Sequence, residues 1–589
     1  MKALKALNPY IWKYKKLLLL GVLWVFISNI FGVFPPQVVR EAVDEAGSLI
    51  QSGKVAGGES GIAGKLLVYG LLVIGLSLAR GFFLFLTRQT LIVMSRHVEY
   101  DLRNDLYSHY QGLSLGFYRR NQTGDLMAKI SEDVSRVRMY LGPGIMYTLN
   151  TVSLMIIVIA TMITVNPLLT LYTVLPLPVL SVMVYVVENV VQRRSDRIQT
   201  QLSKLSSFAQ ETFSGIRVVK AYAREKQTLK EWKMESEDYK KQSMSLVQFN
   251  ALFHPVVMVL VGLSTILTVW VGGIKVIDGE ITMGMIAEFI LYVNMLTWPI
   301  ISVGWVTTLI QRAGASQIRL NKLMAEKSEI VFPETGKKID GAKVEFKNVS
   351  FKYPDTGIVA LDDVSFQVES GKRLGILGPT GSGKSTLCSM IPRMFDPISG
   401  SIQIGGNDIK TYTAADLRNA IGFAPQDAFL FSETIAENIA FGKLDANRED
   451  IMEAISNAGM ESDLAQFSDG ADTVVGERGV TLSGGQKQRL ALGRAWVRKP
   501  AILILDDSLS AVDTRTEEQI LENLRNKSAT MTVIVVSHRI STIQDSDHIV
   551  VIENGKISSQ GKHADLISGG GYYAQIYRKQ LLESEIEEV

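Results

Sequence analysis

"RLGILGPTGSGKSTL", residues 373–387, decides the fold of the C-terminal part of this chain. It opens as an apolar run of strand character and closes in a helical pattern. Between the two, Gly378, Pro379, Thr380, Gly381, Ser382, Gly383, Lys384 and Ser385 fill the frame G-x-x-x-x-G-K-S. Glycines in such a turn let backbone N–H groups curl around phosphate oxygens, and the helix entered through Lys384, Ser385 and Thr386 turns its positive end toward them. Lys384 is placed to reach the β and γ phosphates of a nucleotide and Ser385 to hold Mg²⁺. A glycine-rich turn without a ligand is the alternative, disfavoured by the strand before and the apolar helix after.

Working outward, "AILILDD" (501–507) and "TVIVVSH" (532–538) read, with "RLGILG", as buried strands of a mostly parallel sheet in an α/β domain. Asp506 ends its strand, where a carboxylate beside a phosphate-binding loop can serve the magnesium shell. An ordinary turn residue is the plainer reading of an isolated Asp.

The whole chain has 589 residues and 47% hydrophobic content, too long for one core and apolar for a fully soluble protein. Sixty-one basic residues nearly balance 59 acidic ones, so net charge gives no argument for a nucleic-acid partner. The single cysteine, Cys388, excludes an intramolecular disulfide and any multi-cysteine metal site.

Six apolar stretches precede residue 315, at roughly 17–38, 64–86, 141–165, 168–191, 249–273 and 284–310. Each has about the 20 residues needed to cross a bilayer as a helix, whereas six buried soluble helices of this kind in so short a length are not expected. The first follows several lysines, as a secretory signal does. It runs on past Trp24 to Pro35 and Pro36 without a small-residue cleavage pattern, so a retained span is expected. Basic residues gather before the first span, between the second and third, and between the fourth and fifth, which puts those segments and both termini in the cytoplasm. The two long basic segments mix charged and apolar residues at helical spacing and predict helices reaching roughly 40 Å beyond the bilayer.

"TLSGGQKQRLALGRA" (481–495) lies between the phosphate loop and Asp506. Leu482, Ser483, Gly484, Gly485 and Gln486, followed by a basic helix, resemble the signature of ATP-binding cassette (ABC) proteins. The resemblance covers the whole chain, with six spans, long intracellular helices and then one nucleotide domain, as in half-size ABC exporters. It implies a membrane all-α six-helix domain of the type I ABC exporter fold followed by an α/β P-loop ATPase domain. The expected boundaries are 1–325 for the membrane domain, 326–341 for a linker, 342–580 for the nucleotide domain and 581–589 for an acidic tail. The resemblance also implies roles for single residues. Tyr353 matches the aromatic residue that stacks on adenine, Gln426 the glutamine that contacts Mg²⁺, and His538 the switch histidine at the γ-phosphate. Ser510 to Asp513 match the loop that meets the dimer partner, and "TVVGERG" (473–479) a segment that touches the intracellular helices. In that family two chains pair head to tail, and the signature acts in trans on the partner's ATP.

The family's usual residue after Asp506 is a glutamate acting as general base. Here it is Asp507, one methylene shorter. General-base efficiency depends first on geometry, so slow hydrolysis at this chain's own Walker site is expected. This pattern with an intact signature is similar to one subunit of heterodimeric bacterial multidrug exporters, the YheI/BmrC type; a slow homodimer is the alternative. The expected function is export of a small hydrophobic or amphipathic substrate across a bacterial inner membrane, with ATP and Mg²⁺ as cofactors and a second half-transporter as partner. An ATP-gated channel or regulatory membrane subunit without pumping stays open as the alternative. Arg80, Asn150, Glu188, His254, Glu288 and Asn294 lie in or near the spans, where ionisable groups mark either a pathway or a structural contact. Trp270, Trp298 and Trp305 are candidates for a cavity lining or for interfacial anchors.

Overall fold

The computed structural model describes residues 2–51, 59–476, 479, 482–527 and 531–587, except the side chains of 49–51, 59–63, 254, 527 and 584–587. The chain divides into two compact units, Met1–Gln111 with Thr123–Glu326, and Gly112–Gln122 with Lys327–Val589.

The first unit is built on six long helices, α1 (Lys15–Gln51), α2 (Glu59–Gly112), α3 (Ile145–Val165), α4 (Pro176–Ser214), α5 (Glu225–Ile277) and α6 (Met283–Met324); four apolar stretches lie within one of them, while the third begins in the turn before α3 and the fourth spans the helix Pro167–Val174 and the start of α4. Among the described residues, six segments are long and apolar enough to cross a membrane. Prolines mark two of the irregularities. Pro143 sits in a wide π-type turn, Tyr140–Gly144, that leads into α3, and Pro176 follows the break between the helix Pro167–Val174 and α4. Proline donates no backbone hydrogen bond and crowds the preceding turn, so a helix widens or interrupts there. Beyond the spans α4 and α5 run side by side. Gln201 donates to the Glu235 carbonyl at 3.1 Å, Arg194 to Ser245 Oγ at 2.8 Å, and Phe208 packs on Trp232. These are the helical extensions the basic segments predict, and they are joined through the short helix Ile216–Ala221.

Inside the bundle the polar side chains pair with each other. Asn29 donates to Ser153 Oγ at 2.7 Å and to the Asn150 carbonyl at 3.3 Å, and Thr151 meets Ser302 at 3.1 Å. The fully buried Glu288 on α6 accepts from Arg40 of α1 at 3.2 Å and from Tyr292 at 3.0 Å. One turn earlier, Asp44 of α1 accepts the Gly284 backbone N–H at 2.8 Å, and a Cβ at Gly284 would overlap the Arg40 carbonyl. That glycine therefore sets how closely α1 and α6 approach.

Among the described residues of the second unit are ten strands: β1 (Val344–Lys352), β2 (Val359–Val368), β3 (Arg373–Leu377), β4 (Ser399–Ile404), β5 (Asn407–Asp408), β6 (Ile421–Ala424), β7 (Ile502–Asp506), β8 (Thr532–Val536), β9 (His548–Glu553) and β10 (Lys556–Gly561). One sheet has the order β10-β9-β3-β8-β7-β6, parallel except for the edge pair β9–β10. Every residue of β3, β7 and β8 is buried, as continuous apolar runs covered on both faces require. A second, antiparallel sheet, β2-β1-β4-β5, was not anticipated; it is not hydrogen-bonded to the first but packs on it, Val344, Phe346 and Ile402 sharing a buried core with Leu374, Ile504 and Ile534. Its strands alternate buried and exposed positions and lack the unbroken apolar run that marked the others.

Arg40→Ala leaves Glu288 buried without its counter-ion and is expected to destabilise the membrane unit by on the order of 3–5 kcal/mol. Arg40→Ala/Glu288→Gln should recover most of that loss. Folded fraction after heating in detergent, read by size-exclusion chromatography, checks this; a double variant no more stable than the single one contradicts it.

Candidate functional site

Four parallel strands end on the same edge, and the residues at and just beyond their ends form the site. β3 runs into the glycine loop, β6 leads to Gln426, β7 ends in Asp506 and Asp507, and β8 leads to His538. Tyr353, Gly378, Pro379, Thr380, Gly381, Ser382, Gly383, Lys384, Ser385, Thr386, Gln426, Asp506, Asp507 and His538 all line one cavity of about 370 Å³. Ile358, Ala360, Val536 and Tyr572 also line it, and none of these was foreseen. Three are apolar strand or near-strand residues that look like core, and Tyr572 comes from the C-terminal helix with no motif around it. None of Leu482, Ser483, Gly484, Gly485 and Gln486 contributes to this cavity.

The loop holds its shape because glycine alone fits. Gly381 and Gly383 have φ of +81° and +105°, and a Cβ at Gly378 or Gly383 would overlap the carbonyl of Ile552 or Ala360. Lys384 Nζ donates to the carbonyls of Gly378 and Pro379 at 2.8 Å each. Burial pushes its pKa below the usual lysine range. Burial likewise raises the Asp506 carboxyl, opposed by Ser385 Oγ donating to it at 3.1 Å. A hydroxyl and a carboxylate converging from loop and strand are hard oxygen donors of the kind Mg²⁺ takes. Ser382 Oγ is buried and has no hydrogen-bond partner, so the loop carries one polar atom that only a ligand or a solvent molecule could satisfy. The residues present thus fit a magnesium nucleotide.

Asp507 departs from the strand. Its φ is +50°, in the left-handed region that Asp adopts more readily than most residues. Its Oδ1 lies 3.0 Å from His538 Nδ1, and its Oδ2 accepts from Gln426 at 3.4 Å.

The signature caps a helix, Gly484–Trp496. Ser483 Oγ accepts the Gln486 N–H at 3.2 Å, and the Gln486 side chain accepts the Ser483 N–H in return at 2.9 Å. This capping box went unforeseen, although the S-x-x-Q spacing signals one. A Cβ at Gly485 would stand 2.6 Å from the Ala511 carbonyl, so the second glycine is required by the Ser510 to Asp513 loop of the same chain. Of "TVVGERG", Glu477 and Arg478 lie outside the described residues, as does Thr481 ahead of the signature.

The membrane candidates separate by environment. Glu288 and the Asn150 backbone belong to the interhelical contacts above, and Asn294 donates to the Ile290 carbonyl of its own helix at 3.0 Å. Trp298 and Trp305 pack on Tyr147, while Trp270 is exposed. Glu188 lines a small polar pocket between α4 and α6, Arg80 packs on Gly32, and the His254 side chain lies outside the described residues.

Residues 17–300 match the family model for the ABC transporter transmembrane region and residues 361–510 that for the ABC transporter. The chain belongs to the ABC transporter family. It is 33% identical, over 96% of its length and 95% of the relative's, to a Bacillus subtilis protein described as a probable multidrug resistance ABC transporter ATP-binding/permease protein, YheI. It is 34% identical to the multidrug resistance-like ATP-binding protein MdlA of Escherichia coli over 86% of both chains. A solved structure of a bacterial Atm1-family ABC exporter with ATP bound superposes with a TM-score of 0.78 at 26% identity, covering 96% of this chain and 99% of that one. This ABC chain is therefore a half-size exporter of type I fold, an integral membrane protein that binds ATP and couples its hydrolysis to transport.

Ser382→Ala separates a phosphate-facing hydroxyl from a structural one. ATP affinity is expected to fall about 5-fold, the worth of one ordinary hydrogen bond, without loss of thermal stability. Equilibrium nucleotide binding and thermal unfolding check both halves; a stability loss with unchanged affinity contradicts the reading.

Proposed function

We propose that this chain is one half of a two-chain exporter whose own Walker site binds ATP firmly and hydrolyses it slowly. The observation that carries the reading is the position of Asp507. Its carboxylate is one methylene short, and both oxygens already face partners in the chain, His538 and Gln426. A general base must come within hydrogen-bond reach of the water it activates, and a misplacement of about 1 Å costs roughly 10²-fold in rate.

In this account Tyr353 stacks the base, the loop N–H groups and Lys384 hold the phosphates, and Ser385, Asp506 and Gln426 hold Mg²⁺. The metal, when bound, neutralises charge developing on the phosphate oxygens. His538 orients Asp507 and faces the γ-phosphate. Leu482, Ser483, Gly484, Gly485 and Gln486 act on the ATP of the second half-transporter, whose own residue after its Walker B aspartate is a glutamate. Their absence from this chain's cavity supports a site completed in trans. The tip joining α4 and α5 leaves Phe213, Val218 and Tyr222 exposed, an apolar surface that a second chain would cover.

The nucleotide domain, 342–580, and both termini face the cytoplasm of a bacterial inner membrane, as the basic segments support. The linker, 326–341, and the tail, 581–589, flank that domain. ATP binding and hydrolysis drive alternating access of a cavity between the spans for a hydrophobic or amphipathic substrate, a class supported by the relatives' multidrug descriptions.

Phosphate release by the full chain in lipid, at densities that force it to pair with itself so that its own signature completes the site, tests the weakened-site part of the proposal. Wild type is expected to be nearly silent, Asp507→Glu to gain roughly 10- to 100-fold, and Asp507→Asn to show none. Robust wild-type turnover that Asn abolishes would mean that Asp507 suffices and the Walker site is not weakened.

A further inference from the structure

The segment 112–122 belongs to the nucleotide unit although it connects two membrane helices in sequence. Its helix, Leu115–Arg120, brings the Arg119 guanidinium over the ring of Tyr353, 3.8 Å from the centroid. The ring has other neighbours. Phe351 and Phe395 stand perpendicular to it with centroids 5.0 and 5.6 Å away, and its hydroxyl bonds Thr386 Oγ1 at 2.8 Å. Arg119 covers one face of it. Tyr353 lines both the nucleotide cavity and a second cleft formed with Gly116, Arg119 and Glu329, whereas Arg119 lines only the second. Tyr353 is thus shared by the two, while Arg119 lies with the second alone.

We propose that Arg119 is a positioning residue for the nucleotide base, acting through the Tyr353 ring, so that base stacking and docking of segment 112–122 strengthen each other. The inference rests on the reading of Tyr353 as the base platform. An ion pair does not explain where Arg119 sits, because its carboxylate neighbour, Asp355, is 3.7 Å away and the contact is partly exposed. A guanidinium over an aromatic face is instead an arrangement that arginine favours. Attraction between a cation and a ring grows as water leaves the ring. A base closing the opposite face removes that water and fixes the same plane. By linkage, whatever factor the base adds to docking of the segment, the segment returns to base affinity. Inorganic tripolyphosphate occupies the glycine loop without reaching the ring and gains nothing from Arg119.

Equilibrium binding of ATP and of inorganic tripolyphosphate to the full chain in lipid nanodiscs tests this. Arg119→Gln and Tyr353→Leu are each expected to weaken ATP by about 3- to 10-fold while leaving tripolyphosphate unchanged. The combined variant should be no weaker than Tyr353→Leu alone, since Arg119 acts through that ring. Arg119→Lys should recover part of the loss, and Asp355→Asn should cause none. Unchanged ATP affinity in Arg119→Gln, additive losses in the combined variant, or an equal loss in Asp355→Asn would each overturn the inference while leaving Tyr353 as the platform. No effect of Tyr353→Leu would remove the platform itself.

Discussion

Four buried parallel strands ending on one edge are the constraint on which the nucleotide site depends. Because β3 and β7 lie in the same hydrogen-bonded sheet, the glycine loop after one and the carboxylate closing the other are held in fixed register. Ser385 Oγ and Asp506 meet at 3.1 Å without either element having to move. The next residue cannot share that arrangement. β7 ends at Asp506, and Asp507 must turn out of the sheet through a left-handed conformation. Its carboxylate then reaches only as far as its one methylene allows, into the space between His538 and Gln426. The strand end thus holds Asp506 beside Ser385 and leaves the Asp507 carboxylate in contact with His538 and Gln426.

The membrane unit obeys a different rule. Lipid offers no partner for a polar group, so α1, α3 and α6 satisfy theirs across the interfaces between them, through Asn29, Ser153, Arg40 and Glu288. The most apolar window of α2 has no buried residue at all within the chain. The helices that carry these polar contacts form the consolidated part of the bundle, while α2 is packed in only beyond that window, through Leu91, Met94, Val98 and Leu102.

Sequence and structure agree most closely where a motif must satisfy several requirements at once. The glycine loop needs positive φ, close backbone approach and a helix after it, and only a narrow set of sequences meets all three, so residues 378–386 were legible in detail. The spans were legible by length and composition, and charged residues at helical spacing foretold that the helices continue past them, but the π-type turn Tyr140–Gly144 and the break before Pro176 were not foreseen. The antiparallel sheet was hidden by its alternating burial. Tyr572 was hidden for a simpler reason: its place in the cavity depends on where the C-terminal helix returns, and no local pattern encodes that. The signature shows the mixed case: it was read as acting on the partner's ATP, while Gly485 also answers to the backbone of Ala511 in its own chain.

The central claim is that this chain contributes one weakened Walker site and one intact signature to an assembly in which a different chain provides the rest. Native mass spectrometry of the transporter purified through a tag on this chain tests it most directly. The account requires two chain species in equal number, the second bearing glutamate after its Walker B aspartate. A complex built from this chain alone would contradict it.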